Sequence, residues 1–169
     1  MVDLIIVDLY GTIVKTDGRL PIRDGFEEFS QFYREQGVKI VLFTDGPEES
    51  TIRLLDRFSL WDEFDEVYTE EDLTLVDYGD FFTGISYTLK NLQKPCNKFS
   101  TDPTNALFIG DNNYGRDQRS ADHYEIRFIK VPQYRDEIPT WHERDSTKDY
   151  VDFDDSKNPF SFISLIGQL

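Results

Sequence analysis

The sequence has little cysteine and few positive charges. Cys96 is the only cysteine among 169 residues, so no internal disulfide can form and a reducing, cytoplasmic setting is expected. Lysine and arginine number 18 against 33 acidic residues, which gives a formal net charge of −15. Such a chain repels nucleic-acid phosphates and anionic membrane surfaces, so neither nucleic acid nor membrane is expected as a partner.

Long apolar runs are also missing. No segment approaches the ~20 apolar residues that a membrane-spanning helix needs. No basic segment precedes the first apolar run, so the N-terminus is not expected to be a signal peptide. Hydrophobic residues still make up 38% of the chain, which is enough for one core. We therefore predict a single domain over residues 1–169.

Short apolar runs alternate with amphipathic segments along the chain. Buried strands are predicted at 4–7, 38–44 and 105–111, and weaker strands at 64–69, 126–131 and 150–153. Helices are predicted at 21–37, 46–61, 81–92 and 160–169, with a short helix from Asp117 and a long polar loop over 132–157. This order predicts a three-layer α/β/α Rossmann-like domain with a mostly parallel central sheet.

Polar residues follow each of the three strong strands. The first strand ends at Asp8, the second at Thr44 and the third at Asp111. The carboxyl ends of parallel strands lie at one edge of a sheet, and ligands bind there near the switch point of the strand order. We therefore expect these residues to converge, together with the small and polar residues that follow them: Asp45, Gly46, Asn112, Asn113 and Asp117.

These residue types suit phosphoryl transfer. A carboxylate can attack an electrophile and form an acyl intermediate. Mg²⁺ offsets the charge of the reactants, because it takes one or two carboxylates, some waters and a phosphate oxygen. Asp8 and Asp111 are the natural pair of ligands. Backbone N–H groups in the turn at Gly11 and Thr12, and those that follow Thr44, are expected to bind phosphate oxygens.

The segments "VDLYGTIV", "IVLFTDG" and "LFIGDNNYGRD" resemble motifs I, II and IV of the haloacid dehalogenase (HAD) superfamily. The resemblance covers nearly the whole chain, and it implies a Rossmann-like core with Mg²⁺-dependent phosphoryl transfer. It implies that Asp8 is the nucleophile and a metal ligand, that the backbone carbonyl of Tyr10 is a second ligand, and that Asp111 is a third. It also implies that Thr44 binds the transferring phosphoryl group and that Asp117 holds a metal-bound water. The predicted substrate-binding residues are Gly11, Thr12, Asp45, Gly46 and Asn112, with a helix N-cap as the alternative role for Asp45.

Two positions depart from the family pattern. Tyr10 stands where the family's phosphatases usually have an aspartate that acts as general acid and base, and a phenol is a poor substitute near neutral pH, so hydrolysis should be slow. The family also places a lysine near the start of the helix before motif IV, but "VDYGDFF" has none. Lys90, Lys94 and Lys98 come later; Lys98 is the predicted catalytic lysine, with Lys94 as the alternative and a solvated surface position for either as the other interpretation.

The resemblance favours an Mg²⁺-dependent hydrolase, a phosphatase with an aspartyl-phosphate intermediate. The chain leaves no room for a cap, so a capless, open site is expected. Such a site suits a phosphorylated small molecule or protein as substrate, or it is covered by another subunit of an oligomer. One alternative is a HAD-fold binding or regulatory protein with weak or no turnover. A dehalogenase-like hydrolase is the third, because the D-x-Y-G-T form is similar to the motif of the L-2-haloacid dehalogenases.

Overall fold

The computed structural model describes residues 2–77, 86–135 and 160–169. Strands in these ranges are β1 (Leu4–Val7), β2 (Lys39–Phe43), β3 (Glu66–Tyr68), β4 (Leu73–Asp77), β5 (Ser86–Lys90), β6 (Ala106–Gly110) and β7 (Arg127–Lys130). The α-helices there are α1 (Phe26–Glu35), α2 (Glu48–Phe58), α3 (Gln93–Phe99) and α4 (Arg116–His123).

Five parallel strands form the central sheet, in the order β3-β2-β1-β6-β7. The first strand is the middle one, since Leu4 pairs with Lys39 on one side and with Ala106 on the other. The chain moves outward from β1 through β2 and β3, then crosses over to add β6 and β7. The switch point of the sheet therefore lies between β1 and β6. The predicted α/β architecture with a mostly parallel sheet is confirmed.

Alternate side chains of β1 point into two separate cores. Ile5 and Val7 pack with the core that includes Phe29 of α1, whereas Leu4 and Ile6 pack with the core that includes Cys96 of α3. This period of two explains why the whole run is apolar, because both faces of the strand are covered by helices. Each fully buried aliphatic side chain of this kind contributes about 1.5–3 kcal/mol to folding.

Helix α1 supplies an aromatic face to the first core. Phe26, Phe29 and Tyr33 are buried at helical spacing, and the ring of Phe162 lies 5.2 Å from the rings of Phe26 and Phe29, centroid to centroid. The Tyr33 hydroxyl also donates a hydrogen bond to the carbonyl of Leu165, at 2.7 Å. The helix predicted over residues 160–169 is instead a single 3-10 turn, Phe162–Leu165, held against α1 by these contacts.

A two-stranded antiparallel hairpin replaces part of a predicted helix. Strands β4 and β5 pair in a register that sets Leu73 opposite Lys90 and Asp77 opposite Ser86. The helix expected over 81–92 is therefore wrong for residues 86–90, while residues 81–85 lie outside the described ranges. Helix α3 begins where that helix was expected to end, with Pro95 in its first turn, where the missing N–H breaks no helical hydrogen bond.

Several other elements match the predicted ones with shorter bounds. Strands β1, β2, β3, β6 and β7 and helices α1, α2 and α4 lie within the ranges predicted for them, apart from a residue at some ends. The strand expected at 150–153 and most of the polar loop expected at 132–157 fall outside the described ranges. Among the helices of the described ranges, none has the length and apolar character to cross a membrane.

Candidate active site

The carboxylate of Asp8 lies at the end of the central strand. Its backbone N–H donates to the carbonyl of Ile109 on β6, at 2.9 Å, so the parallel pairing continues one residue beyond β1. The side chain is buried, with one oxygen 3.2 Å from the Thr12 hydroxyl and the other 2.6 Å from the Lys90 ammonium. Sheet pairing and two side-chain donors thus hold Asp8 in one position.

Thr12 links the ends of β1 and β6. Its hydroxyl donates to Asp8 Oδ2 and accepts a hydrogen bond from the backbone N–H of Asp111, at 3.0 Å. Its own backbone N–H donates to the Leu9 carbonyl, and that of Gly11 donates to the Val14 carbonyl. The N–H groups predicted to bind phosphate are therefore used inside the turn, and Thr12 contributes its side chain instead.

Three carboxylates form a buried cluster. Asp8, Asp111 and Asp117 each offer an oxygen, and these oxygens lie within 4.8 Å of one another. Asp111 Oδ1 accepts from the N–H of Asn113, and its Oδ2 accepts from the side-chain amide of Gln133 at 3.2 Å. Gly11 makes this packing feasible, since a Cβ there would lie 2.1 Å from Asp111 Oδ2, and its φ of +76° favours glycine.

The ammonium group of Lys90 lies inside the cluster. It donates to Asp8 Oδ1 at 2.6 Å and to Asp117 Oδ1 at 2.8 Å, and its side chain is only 1% exposed. The backbone N–H of Lys90 donates to the hydroxyl of Ser120, which donates in turn to the Arg116 carbonyl on α4. The end of the hairpin is thereby fixed to the helix that carries Asp117.

Burial dominates the electrostatics of the cluster. It raises the pKa of Asp8 well above its usual value, with the repulsion of Asp117 and Asp111 adding to the effect and the attraction of Lys90 opposing it. Burial and the charge of Asp117 likewise raise the pKa of Asp111 to about 6. Burial alone would lower the pKa of Lys90, but the carboxylates of Asp117 and Asp8 raise it, so the ammonium stays charged.

The donor set fits a hard divalent cation. With all three carboxylates ionised and the lysine charged, the buried cluster would have a net charge of −2, which a divalent ion would balance. Carboxylate oxygens are the ligands that Mg²⁺ prefers in proteins. Burial is the main cause of the raised pKa values of Asp8 and Asp111, and the repulsion among the carboxylates adds to it.

Comparison with known proteins finds relatives by structure only. No protein-family model matches the sequence, and no curated protein matches it. A HAD-superfamily hydrolase of subfamily IA from Geobacter sulfurreducens PCA superposes with a TM-score of 0.60 at 18% identity, over 81% of this chain and 95% of its own. The chain has a HAD-like fold. A predicted phosphoglycolate phosphatase from Haemophilus somnus 129PT gives a TM-score of 0.59 at 15% identity, over 82% and 89%. A hydrolase from Streptococcus pneumoniae TIGR4 gives a TM-score of 0.57 at 12% identity, over 78% of this chain and 94% of its own.

Thr44 directly follows β2, at the same edge of the sheet as Asp8. Its buried hydroxyl accepts a hydrogen bond from the Gly46 N–H at 3.1 Å, and in the described ranges its own hydrogen is donated to no protein atom. That N–H of Gly46 is used by Thr44 and not kept for a ligand. Asp45 does not cap the next helix, whose N-cap position is Pro47, but pairs with Arg116 across the site.

The side chain of Tyr10 packs against the loop after β2. The half-buried ring lies against two glycines: a Cβ at Gly46 would be 2.6 Å from a ring carbon, and a Cβ at Gly18 would be 3.2 Å from another. Burial raises the pKa of the phenol above its usual value of 10. A phenol in this state is a weaker proton donor near neutral pH than the free side chain.

Asn112 serves the loop between β6 and α4. Its N–H donates to Asp117 Oδ2 at 3.0 Å, and its side-chain carbonyl accepts from the Gln118 N–H at 2.9 Å. The residue has a φ of +60°, in a region where asparagine is tolerated. The side-chain oxygen predicted to bind substrate is therefore engaged with α4.

The two lysines predicted from the sequence lie outside the cluster. Lys98 lies on the surface of α3 with its side chain 59% exposed, and its ammonium pairs with Glu66 at 3.1 Å, outside the cluster. Lys94 also lies outside it, paired with Asp72 at 2.7 Å. Lys90 is the lysine of the cluster. The signal for Lys90 is the segment "ISYTLK", whose aromatic and β-branched residues after Gly84 favour a strand over the predicted helix.

Proposed function

We propose that this protein is an Mg²⁺-dependent HAD-like phosphatase that works through an aspartyl-phosphate on Asp8. The observation that carries the proposal is the buried cluster of Asp8, Asp111 and Asp117 with the Lys90 ammonium between two of its members. A site built only for stability would not gather three carboxylates where burial penalises each of them.

The magnesium ion would be held by Asp8, Asp111 and the Tyr10 carbonyl, with Asp117 beside them. When bound, it supplies positive charge against the phosphoryl oxygens and the attacking carboxylate. The chain's own groups would then be arranged around the ion, with Thr12 orienting both Asp8 and Asp111 through a single hydroxyl.

The chemical step assigned to the chain is a displacement at phosphorus. An oxygen of Asp8 forms a bond to phosphorus while the bond from phosphorus to the ester oxygen breaks, and that bond's electron pair leaves with the ester oxygen. Thr44 donates its free hydroxyl hydrogen to a phosphoryl oxygen. Lys90, held by Asp117, keeps Asp8 oriented and offers an N–H to the developing charge. Water then attacks phosphorus, the bond from phosphorus to the Asp8 oxygen breaks with its electron pair returning to the carboxylate, and inorganic phosphate leaves. The proton that the water loses balances the one that the departing alkoxide takes up.

Tyr10 favours a second candidate function, that of a binding or regulatory protein with slow turnover. The side chain at this position is a phenol with a raised pKa, and it contacts Gly46 in place of offering a carboxylate to an attacking water. This favours slow hydrolysis, so a long-lived phosphorylated or phosphate-bound state would suit a binding or regulatory protein. Both candidates use the same site and differ in turnover.

The substrate is proposed to be a phosphorylated small molecule or protein that enters an open, capless site. The net charge of −15 works against anionic substrates, so local cations near the site are needed to bind them.

The test compares the native protein with Asp8→Asn on an aryl phosphate, with Mg²⁺ or EDTA present. The matched control is Asp17→Asn, because Asp17 is surface-exposed and pairs with Arg19. We expect Mg²⁺-dependent release of phosphate by the native and control proteins and none by Asp8→Asn. Acid-quenched mass spectrometry separates the two candidates, since accumulation of a phosphorylated chain without steady turnover supports the regulatory one. Equal activity in Asp8→Asn and native protein would sink the enzymatic proposal.

A further inference from the structure

An ion pair spans the mouth of the site. Asp45 directly follows Thr44 at the end of β2, and Arg116 directly precedes Asp117 at the start of α4, after β6. Their side chains form a salt bridge. Because β1 lies between β2 and β6 in the sheet, a contact between the loops after those two strands crosses above the end of β1. Asp8 is the residue at that end.

The pair lies at the rim and not within the cluster. Its side chains are 32% exposed for Arg116 and 42% exposed for Asp45, whereas those of Asp8 and Lys90 are almost wholly buried. Arg116 therefore lies at the rim of the site, next in the chain to the buried Asp117.

The chemistry of the pair suits exchange with a ligand. A partly exposed salt bridge contributes little free energy, because water competes for both charges. A guanidinium group binds carboxylate or phosphate through two parallel N–H donors. An incoming anion can thus replace Asp45 on Arg116 at small cost. In a chain of net charge −15, a cation at this rim also offsets the field that an anionic substrate meets.

We propose that Arg116 is a specificity residue which binds a second anionic group on the leaving-group side of the substrate, in exchange for Asp45. The preferred substrate is then a phosphate monoester whose alcohol carries a carboxylate or a further phosphate close to the ester. This inference rests on the proposed phosphatase function, which supplies the position of the ester at Asp8. Asp45 acts as a tether that keeps the guanidinium over the site and competes with the ligand for it.

The test measures kcat/KM for three substrates: phenyl phosphate, 3-carboxyphenyl phosphate and 1,3-phenylene bisphosphate. For each substrate with a second anionic group, we take the ratio of its kcat/KM to that of phenyl phosphate. We expect Arg116→Gln to lower this ratio by about tenfold, because one charged hydrogen-bonded contact is lost. Comparison of 3-carboxyphenyl phosphate with 1,3-phenylene bisphosphate shows whether a carboxylate or a phosphate is the preferred second group. Arg53→Gln is the matched control, since Arg53 forms an exposed pair with Glu49 on α2 and should leave the ratio unchanged. Asp45→Asn should raise the ratio, the opposite sign.

A binding measurement separates this inference from the proposed function. Calorimetry in Mg²⁺ compares phosphonoacetate, which has a second anionic group, with methylphosphonate, which has none. If no protein turns over any ester, yet phosphonoacetate binds more tightly and Arg116→Gln removes that difference, the phosphatase proposal fails and the role of Arg116 stands. An unchanged ratio and unchanged relative affinity in Arg116→Gln overturn the role of Arg116, whatever the activity. Equal losses for all substrates also overturn it, because they indicate a structural effect alone.

Discussion

Lys90 Nζ lies 2.6 Å from Asp8 Oδ1, although 82 residues separate the two in the chain. The contact joins the central sheet to the end of a separate hairpin, and Asp117 completes it from α4. A buried ammonium held by two buried carboxylates makes the hairpin part of the candidate site and not an appendage to it.

Replacing Lys90 should affect both stability and activity. Lys90→Met leaves Asp8 and Asp117 buried without their cation, which typically costs about 3–5 kcal/mol of the free energy of unfolding. Lys98→Met is the matched control, because the exposed pair with Glu66 is worth less than about 1 kcal/mol. Urea unfolding in EDTA measures the first effect, and phosphate release in Mg²⁺ measures the second. A larger loss of activity in Lys98→Met would restore the prediction made from the sequence.

Ser120 should act on the site through Lys90. Ser120→Ala removes the acceptor of the Lys90 backbone N–H and leaves that buried donor unsatisfied, at a cost of about 1–3 kcal/mol. The matched control is Ser30→Ala on α1, since the buried Ser30 hydroxyl has no hydrogen-bond partner among the described residues. We expect kcat to fall in Ser120→Ala with KM little changed, and neither to change in Ser30→Ala. Identical behaviour of the two variants would contradict the positioning role.

Two glycines with similar backbone angles should respond differently to alanine. Gly11 and Gly37 have φ of +76° and +82°, so each substitution carries the left-handed penalty of about 1–2 kcal/mol. A Cβ added at Gly11 would meet the carboxylate of Asp111, whereas a Cβ added at Gly37 would have no other atom within 4 Å. We expect Mg²⁺ to produce a rise in the melting temperature of the native protein and of Gly37→Ala, and no such rise in Gly11→Ala. Retention of that rise in both would disprove the close approach as the reason for Gly11.

Asp65 should make stability depend on pH on the acid side. Burial acts to raise its pKa, but the hydrogen bonds from the Lys39 ammonium and the Ile40 N–H outweigh it, and the pKa is lowered from its usual 3.8. Because the folded-state pKa lies below the unfolded one, the stabilisation is full above the unfolded value and is lost as pH falls through the folded value. Urea unfolding from about pH 6 to about pH 3 should therefore show a smaller decline for Asp65→Asn than for the native protein. Parallel curves would be inconsistent with this pKa shift.

The sequence was sufficient to predict the parallel sheet and the carboxylates at its edge. Asp8 and Asp111 directly follow strands whose apolar runs are unmistakable, and parallel strands bring their carboxyl ends together. The position of each residue was therefore a consequence of local pattern plus one topological rule. Asp117 follows from the same rule, because the loop after β6 leads straight into α4.

Lys90 and the Thr12 hydroxyl could not be placed in the same way. Lys90 reaches the cluster through the register of a hairpin, and a one-residue change of register would turn it to the other face. Local sequence does not encode that register, since "TLK" fits a helix as well as a strand. The role of Thr12 depends on which groups a turn satisfies internally, and this becomes visible only when all its hydrogen bonds are known.

The central position of β1 also decides when the site forms during synthesis. The first strand leaves the ribosome early, but its pairing with β6 must wait until residues 106–110 have emerged. Asp8 therefore stays in water while most of the chain is made, and its burial, with that of Lys90 and Asp117, comes with the last strands. Pairing over so long a stretch of chain is slow. A chain interrupted before β6 would contain Asp8, Thr12 and Lys90 and yet lack Asp111 and Asp117, two of the three carboxylates of the cluster.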